Sequence, residues 1–318
     1  MRIRGAFKVA GSIIIVLLLL FLGCILVSKP KSPPVMQSIH EQVKKMDYSD
    51  LPPVSYFTAR DGTRLAYRLY SGNSDKVAIL LHGSSGSSTA MHALGNALKA
   101  NNITAYALDV RGHGESGIRG DIRHEGQLQE DFADVVSIIR NNHPQAEITL
   151  VGHSSGGGFA LKMVGGPLGT CFNQCILLAP YLNYDSPTVR PGSGGWANPS
   201  IVRMMGITVL NRFNIHCLDN LAVVSFAIPK EIAGLTQDYS YRLWKDYKAS
   251  DDYLKDFKNE PIPVVIIVGD EDEIVYADKY APEIKPVAEN VKVDIIPSVN
   301  HMAVVSNERA IKTILRYF

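Results

Sequence analysis

A serine between two glycines follows an apolar run in the middle of the chain. The sequence G-H-S-S-G occupies residues 152–156, and the apolar residues 148–151 precede it. A strand that turns sharply into a helix strains the backbone of the central residue and exposes its hydroxyl. Only glycine fits two positions before and two positions after that residue, because any side chain there would collide. Ser154 is therefore the predicted nucleophile. Ser155 is an alternative by residue type alone, because it has His153 rather than glycine two positions before it.

A nucleophilic serine needs a general base, and the base needs a carboxylate that orients it. The apolar run 264–268 ends in four carboxylates at residues 270–273. Asp272 is the predicted orienting carboxylate, because it lies at the far side of the turn and the chain returns to apolar packing at Ile274. Asp270 remains the alternative.

The base is expected at a third strand end. The run 293–296 leads to His301, which lies after the last predicted strand and downstream of the acid. His301 is therefore the predicted general base. His82, His113 and His153 are expected to be structural or hydrogen-bonding residues beside the site.

A developing oxyanion requires two preorganised N–H donors. The apolar run 77–81 ends in H-G-S-S-G at residues 82–86, which should face the serine turn across neighbouring strand ends. The predicted donors are the backbone N–H groups of Ser84 and Ser155, and the start of the following helix adds positive potential there. Neither G-x-G-x-x-G nor G-x-x-x-x-G-K-[ST] occurs in this turn, so nucleotide binding is excluded.

These residues must be positioned by the ends of several strands. Short apolar or β-rich runs alternate with longer amphipathic stretches, which is typical of parallel strands joined by crossover helices. The predicted strands are residues 54–59, 65–70, 77–81, 105–109, 148–152, 175–179, 264–268 and 293–296, and the predicted helices are residues 91–100, 127–141, 156–164, 276–288 and 302–318. Asp61 and Gly62 predict a hairpin between the first two strands.

The stretch at about residues 182–261 interrupts this alternation. A structureless loop of that length is improbable in a compact domain. The stretch contains apolar residues with helical character, such as 201–210. It is therefore predicted to be a helical cap inserted over the sheet.

The motifs together resemble those of the α/β-hydrolase superfamily, and most closely its monoacylglycerol lipase, lysophospholipase and serine aminopeptidase-like branch, over about residues 54–318. The order Ser154, Asp272, His301 is the order of that superfamily. The resemblance is carried by His82-Gly83-Ser84, by D-V-R-G-H-G-E-S-G at residues 109–117, by residues 152–157 and 269–272, and by His301.

The resemblance implies an α/β fold in which helices flank a mostly parallel eight-stranded sheet. It also implies a serine hydrolase that cleaves carboxylic esters through an acyl-enzyme, without a metal or an organic cofactor. In that family residues 109–117 form a structural loop, so Arg111 and His113 are not expected to act in catalysis. Ser155 stands where the branch often has methionine, which leaves a backbone N–H donor unchanged.

Two other functions remain open on this fold. An aminopeptidase would need an acidic group for the substrate's α-amino group, and Asp219 or Glu231 in the predicted cap could provide it. A non-catalytic binding protein would be expected to lack one of the three predicted residues, and none is missing. A haloalkane dehalogenase is disfavoured, because it would carry aspartate in place of Ser154.

The amino terminus predicts a membrane anchor over residues 1–29. Residues 9–28 are uncharged and would span roughly 30 Å as a helix, which matches a bilayer core. A cleaved signal would have a shorter apolar region and a small-x-small site, which is absent. The alternative is a lipoprotein signal acylated at Cys24, although bulky residues precede that cysteine. An anchored enzyme could act on lipid-like esters such as monoacylglycerols or lysophospholipids, or on other small esters.

The charges divide at this anchor. The chain has a formal net charge of +1, and the four charged residues of 1–29 are all basic, so the rest of the chain is mildly acidic. A mildly acidic main body gives no electrostatic reason to expect nucleic-acid binding. Basic residues flank both sides of the apolar run, with a slight preference for a cytoplasmic amino terminus and an extracytoplasmic main body.

The remaining segments complete the predicted organisation. Residues 30–53 are polar and contain five prolines, which predicts a linker to a hydrolase domain at residues 54–318. Cys171, Cys175 and Cys217 lack the paired spacing of a zinc site. They are expected to be free thiols, with a Cys171–Cys175 or Cys175–Cys217 disulfide as the alternative in an extracytoplasmic domain.

Overall fold

The structure, a computed structural model, describes residues 2–229, 232 and 234–318, and the side chains among them except those of residues 2–11 and 43. The helices are α1 Arg2–Val27, α2 Gln37–Lys44, α3 His92–Ala100, α4 Gln127–Asn142, α5 Ser155–Val164, α6 Ile201–Arg212, α7 Tyr241–Asp246, α8 Tyr253–Asn259, α9 Tyr280–Ile284 and α10 Glu308–Leu315. The strands are β1 Val54–Thr58, β2 Arg64–Tyr70, β3 Lys76–Leu81, β4 Thr104–Leu108, β5 Glu147–His153, β6 Gln174–Leu178, β7 Ala197–Pro199, β8 Ala222–Phe226, β9 Asp238–Ser240, β10 Val264–Gly269 and β11 Lys292–Ile296.

The main sheet has eight strands in the order β1-β2-β4-β3-β5-β6-β10-β11. Within this sheet, the neighbouring strands in the series β4-β3-β5-β6-β10-β11 are parallel. Strand β1 pairs with β2, and β2 with β4, in antiparallel fashion. Strands β4 and β10 are buried along their whole length because helices cover both faces, which explains their continuous apolar sequences. The predicted eight-stranded, mostly parallel sheet is confirmed, and so is the first hairpin.

The register brings the predicted site residues to one edge of the sheet. Leu81 at the end of β3 pairs with Gly152 near the end of β5, and Gly152 pairs in turn with Leu177 of β6. Gly269 at the end of β10 pairs with Ile296 at the end of β11. Parallel strands end at the same edge, so the loops that follow them face one another.

The cap differs from the predicted helical insertion. It contains α6, α7 and α8, but also a three-stranded antiparallel sheet in the order β7-β8-β9. The predicted helical cap is therefore a mixed one, and the prediction did not include these strands. Strands β7 and β9 have three residues each and β8 has five, so none is long enough to show a strand period in the sequence.

Two predicted helices are shorter in the structure. The predicted helix at 276–288 is reduced to α9, and Pro286 follows its end, where proline cannot continue the backbone hydrogen bonds. The predicted helix at 302–318 begins only at α10. Asn307 caps it, because its side chain accepts hydrogen bonds from the N–H groups of Arg309 and Ala310.

The region before β1 contains more structure than the predicted linker. Helix α2 lies within residues 30–53, and its Ile39 is buried in the main core. Helix α1 covers most of the predicted anchor, but the side chains of residues 2–11 lie outside the described set. Among the residues whose side chains the structure describes, no helix combines the length and apolarity of a membrane span. All four cysteines are free.

The loop at residues 109–117 is fixed by a buried guanidinium. Arg111 is 4% exposed and donates hydrogen bonds of 2.6 Å to both carboxylate oxygens of Asp131 and of 3.0 Å to both of Asp61. The hydrogen bonds from Arg111 lower the pKa of Asp61 below its ordinary value, and burial of that carboxylate opposes this effect. The loop is therefore held by a structural ion cluster.

Replacing this guanidinium should destabilise the protein strongly. We expect Arg111→Met to lower the free energy of unfolding by about 3 kcal/mol, because two carboxylates lose their shared partner in a largely buried site. Arg60→Met is the matched control, since Arg60 also pairs with an aspartate, Asp134, but its side chain is 52% exposed. Urea unfolding of the full chain in detergent measures both. Equal losses in the two variants would contradict the structural role of Arg111.

Candidate active site

Ser154 lies at the sharp turn between β5 and α5 with a φ of +53°, a backbone conformation that residues other than glycine rarely adopt. Its N–H donates to the Leu178 carbonyl at 2.9 Å, and its own carbonyl accepts from Gly158 and Tyr181 at 3.0 Å. These backbone hydrogen bonds hold the strained conformation in place.

The flanking glycines are required by backbone contacts. A Cβ on Gly152 would lie 2.3 Å from the Gly156 oxygen, and a Cβ on Gly156 would lie 2.3 Å from the His82 oxygen. Neither contact can be relieved by rotating a side chain. The G-x-S-x-G spacing therefore allows the start of α5 to pack against the end of β5 and against the end of β3, which brings the two loops together.

His301 contacts Asp272 and not Asp270. His301 Nδ1 lies 2.7 Å from Asp272 Oδ2, and both side chains are buried. Asp272 Oδ1 accepts the N–H groups of Ile274 and Val275 at 2.8 Å each, which fixes the carboxylate. Asp270 instead accepts the N–H of Ser298 at 2.7 Å, in an exposed position.

Burial and charge act in opposite directions on this pair. Burial alone would lower the pKa of His301, but the charge and hydrogen bond of Asp272 outweigh it, and the pKa is raised above its ordinary value. Burial would raise the pKa of Asp272, but His301 and the two backbone donors lower it below its ordinary value. The carboxylate is therefore ionised at neutral pH and stabilises a protonated imidazole.

The other ring nitrogen of His301 is available for proton transfer. His301 Nε2 is buried and has no hydrogen-bond partner among the described residues. His301 and Ser154 line the same cavity. An unpaired buried nitrogen is costly, and its position beside a strained serine explains why it is tolerated. Nucleophile–base hydrogen bonds are often long before substrate binds.

The predicted oxyanion donors lie beside Ser154. A Cβ on Gly83 would be 3.1 Å from Ser154 Cβ, so the loop after β3 touches the nucleophile turn. Ser84, Ser154 and Ser155 line a common cavity. Within the described part of the chain, the backbone N–H groups of Ser84 and Ser155 donate to no protein acceptor, which leaves both free for a ligand oxygen.

Sequence reasoning missed two residues that support this arrangement. Trp196 of the cap donates its indole N–H to the Ser84 hydroxyl at 2.8 Å, and Glu273 accepts the backbone N–H of His301 at 2.9 Å. Glu273 was visible in the acidic turn, but nothing in its spacing distinguishes it from a solvated carboxylate. Trp196 follows a glycine-rich loop and is distant in sequence from Ser84, so no local pattern indicates its contact.

Two cavities meet at Ser154, one of about 270 Å³ and one of about 70 Å³. The larger includes His301, and the smaller includes Ser155. Trp196 lines both and lies between them. Their walls are mainly apolar, with Leu51, Ile228, Leu235 and Met302 in the larger cavity and Val224, Phe226, Trp244 and Ile274 in the smaller one.

The remaining predicted candidates lie outside the site or support it. Asp219 hydrogen-bonds His216 and Asn211 in the cap and lines neither cavity. Glu231 lies outside the described residues. His153 is beside the site, because its Nε2 lies 3.0 Å from the His301 carbonyl, and burial, followed by the nearby His301, lowers its pKa to about 3.

His82 and His113 form a buried aromatic cluster behind the site. Their ring centroids are 4.8 Å apart, and each also contacts the ring of Tyr247. His82 Nε2 accepts the N–H of Val110, and His113 Nε2 hydrogen-bonds the Tyr239 hydroxyl. Both histidines therefore fix loops rather than face the cavities.

The parallel sheet, the nucleophile turn and the buried histidine–carboxylate pair together define an α/β-hydrolase fold. The chain belongs to the family described as Serine aminopeptidase, S33, which it matches over residues 72–308. Two solved structures share the fold. They are a soluble variant of monoglyceride lipase from Saccharomyces cerevisiae (TM-score 0.62, 16% identity, 86% of this chain and 96% of that chain) and the monoacylglycerol lipase of Paleococcus ferrophilus (TM-score 0.60, 17% identity, 80% and 97%).

The relatives found by sequence match this chain over only part of their own length. The monoacylglycerol lipase of Mycolicibacterium smegmatis is 35% identical over 130 residues, which are 40% of this chain and 46% of that protein. Protein phosphatase methylesterase 1 of Bos taurus is 31% identical over 150 residues, 42% of this chain and 39% of that protein. The chain thus spans less than half the length of these curated relatives.

The geometry makes a sharp prediction for the two adjacent serines. Ser154→Ala should abolish covalent labelling by a fluorophosphonate, because it removes the hydroxyl of the residue with the strained positive φ. Ser155→Ala should label like the wild type, since its backbone N–H is retained. In-gel detection of a fluorescent probe measures both. Undiminished labelling of Ser154→Ala would exclude Ser154 as the nucleophile.

Proposed function

We propose that the protein is a serine hydrolase that cleaves carboxylic esters through an acyl-enzyme. The observation that carries this proposal is the pairing of a strained serine with a buried histidine whose Nδ1 is held by Asp272 at 2.7 Å while its Nε2 is unpaired. Ester hydrolysis by a serine nucleophile requires each of these features.

The first half-reaction forms the acyl-enzyme. Ser154 Oγ attacks the ester carbonyl carbon while His301 Nε2 accepts the serine proton. The carbonyl oxygen becomes an oxyanion and accepts hydrogen bonds from the N–H groups of Ser84 and Ser155. The imidazolium is stabilised by Asp272, and it then donates its proton to the alcohol oxygen as the carbon–oxygen bond breaks.

The second half-reaction releases the acid. His301 accepts a proton from water, and the resulting hydroxide attacks the acyl carbon. The proton is then donated to Ser154 Oγ as the acyl–serine bond breaks, which restores the starting state. No metal or organic cofactor takes part in this scheme.

The cavity walls favour esters over peptides with a free amino terminus. No carboxylate lines either cavity within the described part of the chain, so nothing described there would hold an α-ammonium group. The mainly apolar walls suit an apolar acyl or alcohol group. The names of the relatives, monoacylglycerol lipases and a methylesterase, support ester substrates and favour lipid-like ones.

A panel of substrates tests the proposal. We expect the wild type to hydrolyse p-nitrophenyl esters and monoacylglycerols, and Ser154→Ala to hydrolyse neither. Aminoacyl p-nitroanilides serve as the peptide-type comparison and should be poor substrates. Preferred turnover of the anilides would indicate an aminopeptidase. Probe labelling without turnover of any ester would indicate a binding protein on this fold.

The pH dependence should report the interaction of His301 with Asp272. Because only neutral His301 can accept a proton and its pKa is raised, kcat/KM should fall as the pH decreases through a value above about 6.5. Asp272→Asn should move this limb to lower pH and reduce kcat by about 10⁴-fold. Asp270→Asn is the matched control and should change neither, which a pH–rate profile of each variant measures.

We further propose that α1 is an uncleaved anchor that spans the bilayer once, with the hydrolase domain on the extracytoplasmic side. Residues 9–28 are uncharged. Eight consecutive side chains from Ile13 to Leu20 are 54–64% exposed, so the helix packs no face of this segment against the protein. A lipid environment would cover all of these faces.

The end of α1 is attached to the cap, which supports a fixed orientation of the domain at the membrane. Arg203 is buried and donates to the carbonyls of Ile25 and Leu26 at 2.8 and 2.7 Å, two groups that a helix end leaves unpaired. Beside this contact α6 exposes Ile201 and Met205. These apolar side chains would lie at the bilayer surface.

Charges placed in the middle of α1 test the anchor. The double variant Leu18→Arg/Leu19→Arg should release the protein from membranes during an alkaline carbonate wash, since each arginine costs about 3 kcal/mol at the centre of a span. Ile118→Arg is the control, because Ile118 is 72% exposed on the hydrolase domain. Release of the wild type by the same wash would contradict the anchor. Protease access to intact cells tests the orientation.

A further inference from the structure

The segment between α1 and β1 contributes to the larger cavity. We call residues 37–51 the membrane-proximal segment. Its residues Ile39, Met46, Tyr48 and Leu51 line the cavity of about 270 Å³ that contains Ser154 and His301. This segment precedes residue 72, where the family match begins. The wall it forms therefore lies outside the residues that match the family.

The start of the segment is held firmly against the hydrolase domain. Ile39 is buried in the main core, and the N–H of Met36, just before the segment, donates to the Ala227 carbonyl of the cap at 3.1 Å. The Gln42 side chain donates to the Ser306 hydroxyl at 3.2 Å. These contacts bind the segment to the cap on one side and to the loop after His301 on the other.

The end of the segment is fixed on α3. Asp50 contacts His92 Nε2 at 2.9 Å, and its second oxygen accepts from Asn96 at 2.9 Å. Tyr48 stacks on the ring of His92 with centroids 6.1 Å apart. Residues 46–51 are thus placed across the cavity by contacts at both ends.

One hydrogen-bonded chain links the segment to the predicted base. The Ser38 hydroxyl donates to Glu273 Oε1 at 2.6 Å, and Glu273 Oε2 accepts the backbone N–H of His301 at 2.9 Å. Glu273 is adjacent to Asp272, which holds the imidazole. The segment is therefore positioned relative to the same turn that positions His301.

We propose that the membrane-proximal segment is the specificity-determining wall of the larger cavity and that Met46 and Leu51 limit the length of the apolar group bound there. This inference rests on the proposed ester hydrolysis and deepens it. The two side chains are half-buried, apolar and in the cavity wall. The binding free energy that an apolar substrate group gains there increases with the apolar area that it buries.

A larger side chain in the cavity wall should lower the activity of the protein on long esters more than on short ones. In the full-length protein in detergent, we expect Met46→Trp to lower the ratio of kcat/KM for p-nitrophenyl octanoate to that for p-nitrophenyl acetate by about tenfold, because a methylene group excluded from an apolar pocket has an effect of this order. Leu51→Trp is the second filling variant. Met36→Trp is the matched control, because Met36 is also half-buried near the segment but does not line the cavity, and its ratio should stay at the wild-type value.

The outcomes separate this inference from the proposed function. If all four proteins hydrolyse the acetate ester and have the same octanoate-to-acetate ratio of kcat/KM, the segment does not determine specificity. The proposed ester hydrolysis would still stand. If the wild type is labelled but turns over neither ester, relative labelling by long- and short-alkyl fluorophosphonates gives the same test of the wall. A wild type that is neither labelled nor active would overturn both proposals. Thermal unfolding of each variant verifies that it is folded.

Discussion

The close packing of the turn after β5 against the end of β3 is the constraint on which the site depends. Gly152 and Gly156 leave room for backbone atoms where any Cβ would collide, and Ser154 between them adopts a positive φ. Because the turn is held by backbone hydrogen bonds, Ser154 does not rely on its own side-chain contacts for its position. The loop after β3 packs against Ser154, and Ser84 of that loop lines a common cavity with Ser154 and Ser155.

The electrostatics of the site follow from its burial. His301 and Asp272 are both almost completely buried, and each shifts the pKa of the other in the direction that favours an ion pair. Two backbone N–H groups donate to the carboxylate and, together with His301, keep Asp272 ionised. Arg111 forms a separate ion cluster with Asp61 and Asp131 that stabilises the fold. The charged pair of the candidate site is thus separate from the ion cluster that stabilises the loop at residues 109–117.

Much of the fold and the identity of the candidate site residues could be predicted from the sequence. Buried parallel strands are continuous apolar runs, and the residues that end them are marked by glycine and by polar side chains, so the eight main strands and the candidates Ser154, Asp272 and His301 were visible. The three cap strands were not, because segments of three to five residues show no period. Helix α2 was hidden by the polar, proline-containing composition around it, and the burial of Ile39 depends on a core formed by residues far along the chain.

The sequence by itself determined which residue types follow each strand and in what order, since local steric and apolar patterns are written in neighbouring residues. Only the tertiary structure decided which members of a set meet. Asp270 and Asp272 belong to the same turn, yet one side chain points to Ser298 and the other to His301. Trp196 reaches Ser84, and Met46 and Leu51 reach the cavity of Ser154, across large separations in sequence. Such contacts depend on how the strands, the cap and the segment at residues 37–51 pack together, and no local pattern contains that information.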